Sequence, residues 1–153
     1  MRETVFNWIR QDLQIHNCSV LDLFCGSGVL GLEALSRGAV SACFVDQNIE
    51  CLNYIKHLLS RLKSMQRVEL INEDVSIWLQ SRFPTNYDLI FLDPPFSFNN
   101  PGTYFSLVKP FVKKNGLIYL EKERSKSISL DSGVECWKSA RAGIIEYGLY
   151  RIL

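Results

Sequence analysis

Asp93-Pro94-Pro95-Phe96 follows directly on the apolar run Tyr87–Leu92. A carboxylate, two prolines and an aromatic ring thus stand at the carboxyl end of a segment that reads as a buried strand. Pro94 holds Asp93 to extended geometry, and neither proline carries a backbone N–H. The turn therefore presents acceptors, the Asp93 carboxylate and nearby carbonyls, with few donors to compete. Such a surface suits an exocyclic amino group. A proline-rich turn with an acidic cap accounts for the same residues without any ligand, so the weight rests on what else the chain supplies.

A second motif, Val20-Leu21-Asp22-Leu23-Phe24-Cys25-Gly26-Ser27-Gly28-Val29-Leu30-Gly31, runs from an apolar strand through a glycine turn into a helical pattern. Gly26 and Gly28 permit positive φ and close approach of backbone to a ligand. The spacing G-S-G-V-L-G fits the dinucleotide fingerprint G-x-G-x-x-G. Asp46 ends the next apolar strand, about 20 residues on, where a carboxylate accepts ribose hydroxyls. Asp22 and Phe24 precede the glycines, and an anion there disfavours a pyrophosphate while tolerating a cation. A nicotinamide dinucleotide is the weaker reading. A positively charged nucleoside, S-adenosylmethionine, is the stronger one.

The elements that must position these motifs alternate throughout. Residues 18–23, 42–45, 68–71, 87–92 and 116–120 read as strands. Helices are expected over 29–37, stopped by Gly38, over 75–80 and over 104–112. Ile49, Leu52, Ile55, Leu59 and Leu62 mark one face of a longer helix, and Phe6, Ile9 and Leu13 one side of an N-terminal helix. The end differs: 134–139 and 144–152 are extended runs around 140–143, which reads as a hairpin. Alternating β and α units imply an α/β fold: a Rossmann-like, doubly wound, mostly parallel sheet of about seven strands, closed by the antiparallel C-terminal hairpin.

At 153 residues and 47% hydrophobic content, the chain reads as one domain over 1–153. Its apolar runs are too short to span a membrane, and its start lacks a signal-peptide pattern, so a cytoplasmic protein is expected. Five cysteines, at 18, 25, 43, 51 and 136, include no C-x-x-C pair. Three lie in or beside expected strands and read as small buried residues in a reducing compartment. His16 and His57 have no ligand-like spacing to them, so no metal is expected. Cys25 as a nucleophile competes with the simpler reading of a residue that fits a tight turn.

Net charge is only +1, yet basic residues cluster: Lys56, His57, Arg61, Lys63 and Arg67; Lys109, Lys113 and Lys114; Lys122, Arg124 and Lys126. Each cluster reads first as a solvated helix face or loop, and only second as a polyanion contact. The third follows a strand on the expected active edge. Trp8, Trp78 and Trp137 read as core or partner-facing aromatics.

Taken together, Arg2-Glu3-Thr4-Val5-Phe6-Asn7-Trp8, Leu21 through Gly28, Gly31-Leu32-Glu33-Ala34-Leu35-Ser36-Arg37 and Asp93-Pro94-Pro95-Phe96 resemble the RsmD-type family of class I S-adenosylmethionine-dependent methyltransferases. The resemblance implies methyl transfer to N2 of guanine-966 in 16S rRNA of the small ribosomal subunit. It implies catalysis by Asp93, Pro94, Pro95 and Phe96. It also implies a cofactor site of Asp22, Phe24, Gly26, Gly28, Asp46, Asp74 and Val75. Asp22 would lie near the cofactor's amino group, Asp46 would accept from the ribose and Asp74 from the adenine amino group, with Val75 adding a backbone N–H. Asp74 reads as well as a plain helix N-cap. Phe96 would stack on the guanine. Such families carry further residues with a basic β-hairpin ahead of the R-E-T-x-F-N segment, and the expected single domain leaves that hairpin out. Competing readings are an amino methyltransferase on adenine N6 of DNA or RNA, and an inactive module that docks on the ribosome.

Overall fold

A computed structural model of the chain describes residues 1–62, 66–97 and 100–153. Twelve main elements follow in order: α1 (Arg2–Asp12), β1 (Ser19–Leu23), α2 (Val29–Ser36), β2 (Ser41–Asp46), α3 (Ile49–Ser60), β3 (Arg67–Asn72), α4 (Val75–Gln80), β4 (Tyr87–Leu92), α5 (Pro101–Val108), β5 (Val112–Glu123), β6 (Val134–Ala142) and β7 (Ile145–Ile152). One sheet holds all seven strands in the order β3-β2-β1-β4-β5-β7-β6. The first five in that order pair in parallel, and β7 runs antiparallel to both β5 and β6. The chain reverses its direction of winding between β1 and β4. In open α/β sheets that switch point, at the carboxyl ends of the strands, is where a crevice forms.

Both faces of the central strands are covered, which is why those strands read as continuous apolar runs. Val5, Phe6 and Ile9 of α1, Ala34 and Leu35 of α2, and Leu52 and Ile55 of α3 pack with Val20, Phe44, Phe91 and Tyr119 on one face. Trp78 and Leu79 of α4 and Phe105 and Val108 of α5 pack with Leu21, Leu23, Ile90 and Leu120 on the other. Each fully buried side chain of this size stabilises the fold by about 1.5–3 kcal/mol before entropy is counted. Arg151 on β7 donates to Asp12 at 2.6 Å and to Glu135 at 2.7 Å, tying the end of α1 to the antiparallel edge.

Three expectations need correction. The helix expected over 104–112 starts at Pro101 and ends at Val108, followed by a 3-10 turn, Lys109–Phe111, and then strand from Val112. Asn100 caps it, with its side chain accepting from Thr103 N–H, and Pro101 fits the first turn, where no N–H is needed. Pro110 cannot continue the helical hydrogen bonding at the other end. The apolar face expected on α3 is shorter than its pattern: Leu52 and Ile55 are buried, but Ile49 and Leu62 are 51% and 57% exposed. Leu62 lies beyond the helix end at Ser60. The loop expected at 140–143 shrinks to Gly143-Ile144, because Ala142 pairs with Ile145, a two-residue connection of the kind that matches strand twist.

Cys18, Cys25 and Cys43 are buried, as expected, and Cys51 and Cys136 are not. Burial pushes the Cys25 thiol far above its usual range, which removes the thiolate a nucleophile needs. Among the described residues, no group of three His, Cys, Asp or Glu is placed to hold a metal, and no helix is long and apolar enough to cross a membrane.

Candidate active site

The glycine turn leaves β1 in an unusual conformation. Phe24, Gly26 and Gly28 have φ of 55°, 53° and 78°, the first of these rare for a residue with a side chain. Gly26 and Gly28 need glycine for different reasons. A Cβ on Gly26 would meet nothing within 4 Å, so its backbone faces open space. A Cβ on Gly28 would sit 2.8 Å from the Ile55 side chain, so there the absent side chain makes room for α3. Gly31, the third glycine, passes so close to the Phe44 ring that a Cβ would lie 2.4 Å from it.

Carboxylates fix this loop. Asp46, at the end of β2, accepts from Gly26 N–H at 2.9 Å and from Asn48 N–H at 2.8 Å. Asp22 is buried and accepts from Gly31 N–H at 2.9 Å. Burial, opposed by that hydrogen bond, raises the Asp22 carboxyl well above the usual range, and the charges of Asp93 and Asp46 raise it further. Asp74 caps α4: its Oδ1 accepts from Ser76 Oγ at 2.6 Å and from Ile77 N–H at 3.1 Å, and these bonds lower its pKa. The capping reading of Asp74 is therefore correct as local structure. It also faces a cavity.

That cavity, of about 400 Å³, joins the two motifs. Phe24, Gly26, Asp46, Asp74 and Val75 line it together with Asp93, Pro94, Pro95 and Phe96. Gln47 and Glu121 complete it. A neighbouring cavity of about 350 Å³ shares Phe24, Gly26, Asp93 and Glu121, and its lining also includes Asp22, Cys25, Ser27 and Tyr119 and, from the chain's start, Met1 and Arg2. Of the catalytic and cofactor-site residues expected from sequence, Gly28 alone lines neither cavity.

Asp93 is raised from 3.8 to about 7, first by burial and then by the charge of Glu121. The sheet explains the pairing. Leu92 of β4 is in register with Leu120 of β5, so Asp93 and Glu121 are the next residues on adjacent parallel strands, whose spacing is about 4.8 Å. Tyr119 Oη donates to Glu121 at 3.0 Å. Phe96 is 47% exposed at the mouth of the cavity. Its carbonyl accepts from Lys126 Nζ at 3.1 Å, which ties the proline turn to the segment after β5.

Glu121, Tyr119, Gln47 and Lys126 were not singled out as site residues from the sequence. The signal for Glu121 was present: it is the acid that follows the apolar run ending at Leu120, as Asp46 and Asp93 follow theirs. The third basic cluster and most of the second are engaged. Lys109 pairs with Asp131, Lys113 with Asp88 at 3.1 Å, and the buried Lys122 with Glu146 at 3.1 Å. Arg124 donates to the Gly143 carbonyl, Arg61 and Arg67 are exposed, and Lys63 lies outside the described residues. The three tryptophans sit away from both cavities. Trp78 is in the core, Trp8 stacks on Tyr147 at 5.7 Å, and Trp137 lies under Arg151.

Comparison with known proteins fits this architecture. The chain is 37% identical to "Ribosomal RNA small subunit methyltransferase D" of Haemophilus influenzae, over 99% of this chain and 79% of that protein. A solved structure of a putative methyltransferase from Escherichia coli superposes with a TM-score of 0.90 at 29% identity, covering 99% of this chain and 85% of that one. A putative methyltransferase complexed with SAH shares the fold alone, at 14% identity and a TM-score of 0.74, over 94% of this chain and 48% of that one. The family model described as "Conserved hypothetical protein 95" matches residues 1–151. The chain belongs to that family, the RsmD family of methyltransferases.

Proposed function

We propose that this protein transfers a methyl group from S-adenosylmethionine to the exocyclic N2 of a guanine in 16S rRNA of the small ribosomal subunit. The observation that carries this reading is the single cavity whose lining includes both the glycine turn with Asp46 and Asp74 and the Asp93–Phe96 turn. Relatives at up to 37% identity carry the name of a small-subunit rRNA methyltransferase.

The residues present fit the cofactor. Gly26 leaves open space where a side chain would stand. Asp46 has both oxygens oriented by backbone N–H bonds, and an ionised carboxylate keeps further acceptor sites for ribose hydroxyls. Asp74, held by its cap, would accept from the adenine amino group, with Val75 beside it. Asp22, which lines the neighbouring cavity, would lie near the cofactor's charged amino group. When bound, S-adenosylmethionine supplies an electrophilic methyl on a positively charged sulfur.

The remaining work belongs to the chain. Guanine N2 is a weak nucleophile because its lone pair is delocalised into the ring. Hydrogen bonds from its N–H groups to the Asp93 carboxylate and the Pro94 carbonyl would hold the nitrogen more pyramidal and aim its lone pair. As N2 takes the methyl in exchange for its bond to sulfur, Asp93 or water would accept the surplus proton from the nitrogen. Most of the catalysis would then lie in the positioning of that nitrogen by Asp93, Pro94 and Phe96. Phe96, exposed at the mouth, would stack on the unstacked base.

The test is methyl transfer to hypomethylated small subunits beside protein-free 16S rRNA, with the modified base mapped. Labelled methyl on guanine N2 supports the reading. Label on adenine N6 replaces the target, and binding of S-adenosylmethionine without transfer to either RNA indicates an inactive module.

A further inference from the structure

We propose that Glu121 accepts a hydrogen bond from the ring N1–H of the target guanine while Asp93 accepts from its exocyclic N2, so that the pair selects guanine over adenine. This rests on the target assigned above and adds the residue that distinguishes it. The proline turn alone does not choose, because a single carboxylate accepts equally from the amino group of either purine.

The register of the sheet puts the two acids side by side at the carboxyl ends of β4 and β5. Both line both cavities, together with the glycine turn. Glu121 is held in place: the Tyr119 hydroxyl, two residues back on the same face of β5, donates to its Oε2 at 3.0 Å. An ionised carboxylate retains acceptor sites after one such bond and has no hydrogen to donate. Above about pH 7, where Asp93 has lost its proton, the site is therefore a pair of adjacent acceptors.

Guanine matches that pattern. Its Watson–Crick edge presents N1–H and N2–H as neighbouring donors, and flipped bases are read along that edge. Adenine presents its amino group beside a bare N1 lone pair, which would face the Glu121 carboxylate without a proton between them. Burial first, and the neighbouring Glu121 charge second, disfavour the ionised Asp93 carboxyl, and a ligand that donates to both acids offsets both effects. A ligand that donates to one leaves the other half-buried carboxylate facing a lone pair, and sites that hydrogen-bond a substrate N–H reject the analogue lacking it.

The discriminating probe is 2-aminopurine, which keeps the amino group on C2 but has no proton on N1. Small subunits assembled from 16S rRNA with guanine or 2-aminopurine at the mapped position are methylated in single-turnover assays by wild type, Glu121→Gln and Tyr119→Phe. Melting temperature and S-adenosylmethionine affinity are measured alongside. Wild type is expected to prefer guanine by about 10- to 150-fold, the scale of losing a hydrogen bond to a charged group. Glu121→Gln is expected to bring the two bases within about threefold, since an amide can accept from N1–H or donate to bare N1. Tyr119→Phe, which keeps the carboxylate but frees it, is expected to fall between and carries the test if Glu121→Gln does not fold. Equal use of both bases by wild type overturns the proposal, as does a variant that slows both by the same factor. If wild type transfers nothing to guanine, the target assignment fails and takes this proposal with it; the other outcomes sink the Glu121 role alone.

Discussion

Asp46 Oδ2 accepts a 2.9 Å hydrogen bond from the backbone N–H of Gly26, twenty residues earlier in the chain. The acid at the end of β2 therefore holds the glycine turn as well as facing the cavity, and the two halves of the expected cofactor site are mechanically one. Removing it should affect both. Asp46→Ala is expected to weaken S-adenosylmethionine binding by about 1.5–3 kcal/mol, the range for hydrogen bonds to a charged group. Calorimetric titration measures this, and an unchanged dissociation constant would remove Asp46 from the site.

Gly26 and Gly28 should separate folding from binding. Gly28→Ala meets both a positive φ and the Ile55 side chain at 2.8 Å, and is expected to lower stability by about 2–4 kcal/mol. Combining it with Ile55→Val should recover part of that loss. Gly26→Ala meets only the positive φ, so its stability loss should be about 1–2 kcal/mol while cofactor affinity falls further. Chemical denaturation and calorimetry on the three variants check this. Equal destabilisation by the two alanines would contradict the assignment.

Asp93 should leave a pH signature. Its carboxyl is raised from 3.8 to about 7 by burial and by Glu121. Between those two values the folded protein binds a proton that the unfolded chain has released, so this group's contribution to stability falls as pH rises through that window and levels off above about 7. Asp93→Asn removes the titration. The melting temperature of Asp93→Asn relative to wild type should therefore be higher at pH 8 than at pH 5. A difference independent of pH would show that Asp93 ionises normally. On the same grounds, methyl transfer by wild type should rise as pH passes through about 7.

Lys126 holds the Phe96 carbonyl at 3.1 Å. Lys126→Met is expected to slow methyl transfer by about 3–10-fold, one ordinary hydrogen bond's worth of positioning, and to leave S-adenosylmethionine affinity unchanged. Comparing single-turnover rates with calorimetric affinities checks it. Loss of affinity in the same proportion would place Lys126 at the cofactor instead.

Much of this arrangement was legible before any coordinates. The strands at Tyr87–Leu92 and the helix at Val75–Gln80 have the bounds the pattern implies, because apolar runs bounded by polar residues and a capping Asp are local signals. The glycine spacing and the acids at 22, 46 and 93 pointed to one edge because parallel α/β sheets bring strand ends together. What was not legible depends on register. Asp93 and Glu121 are separated along the chain and meet only because β5 pairs beside β4. Gly28 carried the same motif signal as Gly26, but the first glycine faces the cavity and the second faces Ile55. Composition also misled at the C-terminal side of α5. Phe111 and Val112 continue an apolar pattern, yet Pro110 turns the chain and Val112 begins a strand.

The most direct measurement pairs two quantities on Asp93→Ala: S-adenosylmethionine affinity by calorimetry, and methyl transfer to hypomethylated small subunits under single turnover. If the Asp93 shelf presents the amine beside a separately formed cofactor site, transfer disappears while affinity stays near that of wild type. If affinity and transfer fall together, the carboxylate supports the fold of the cavity and does not hold the base.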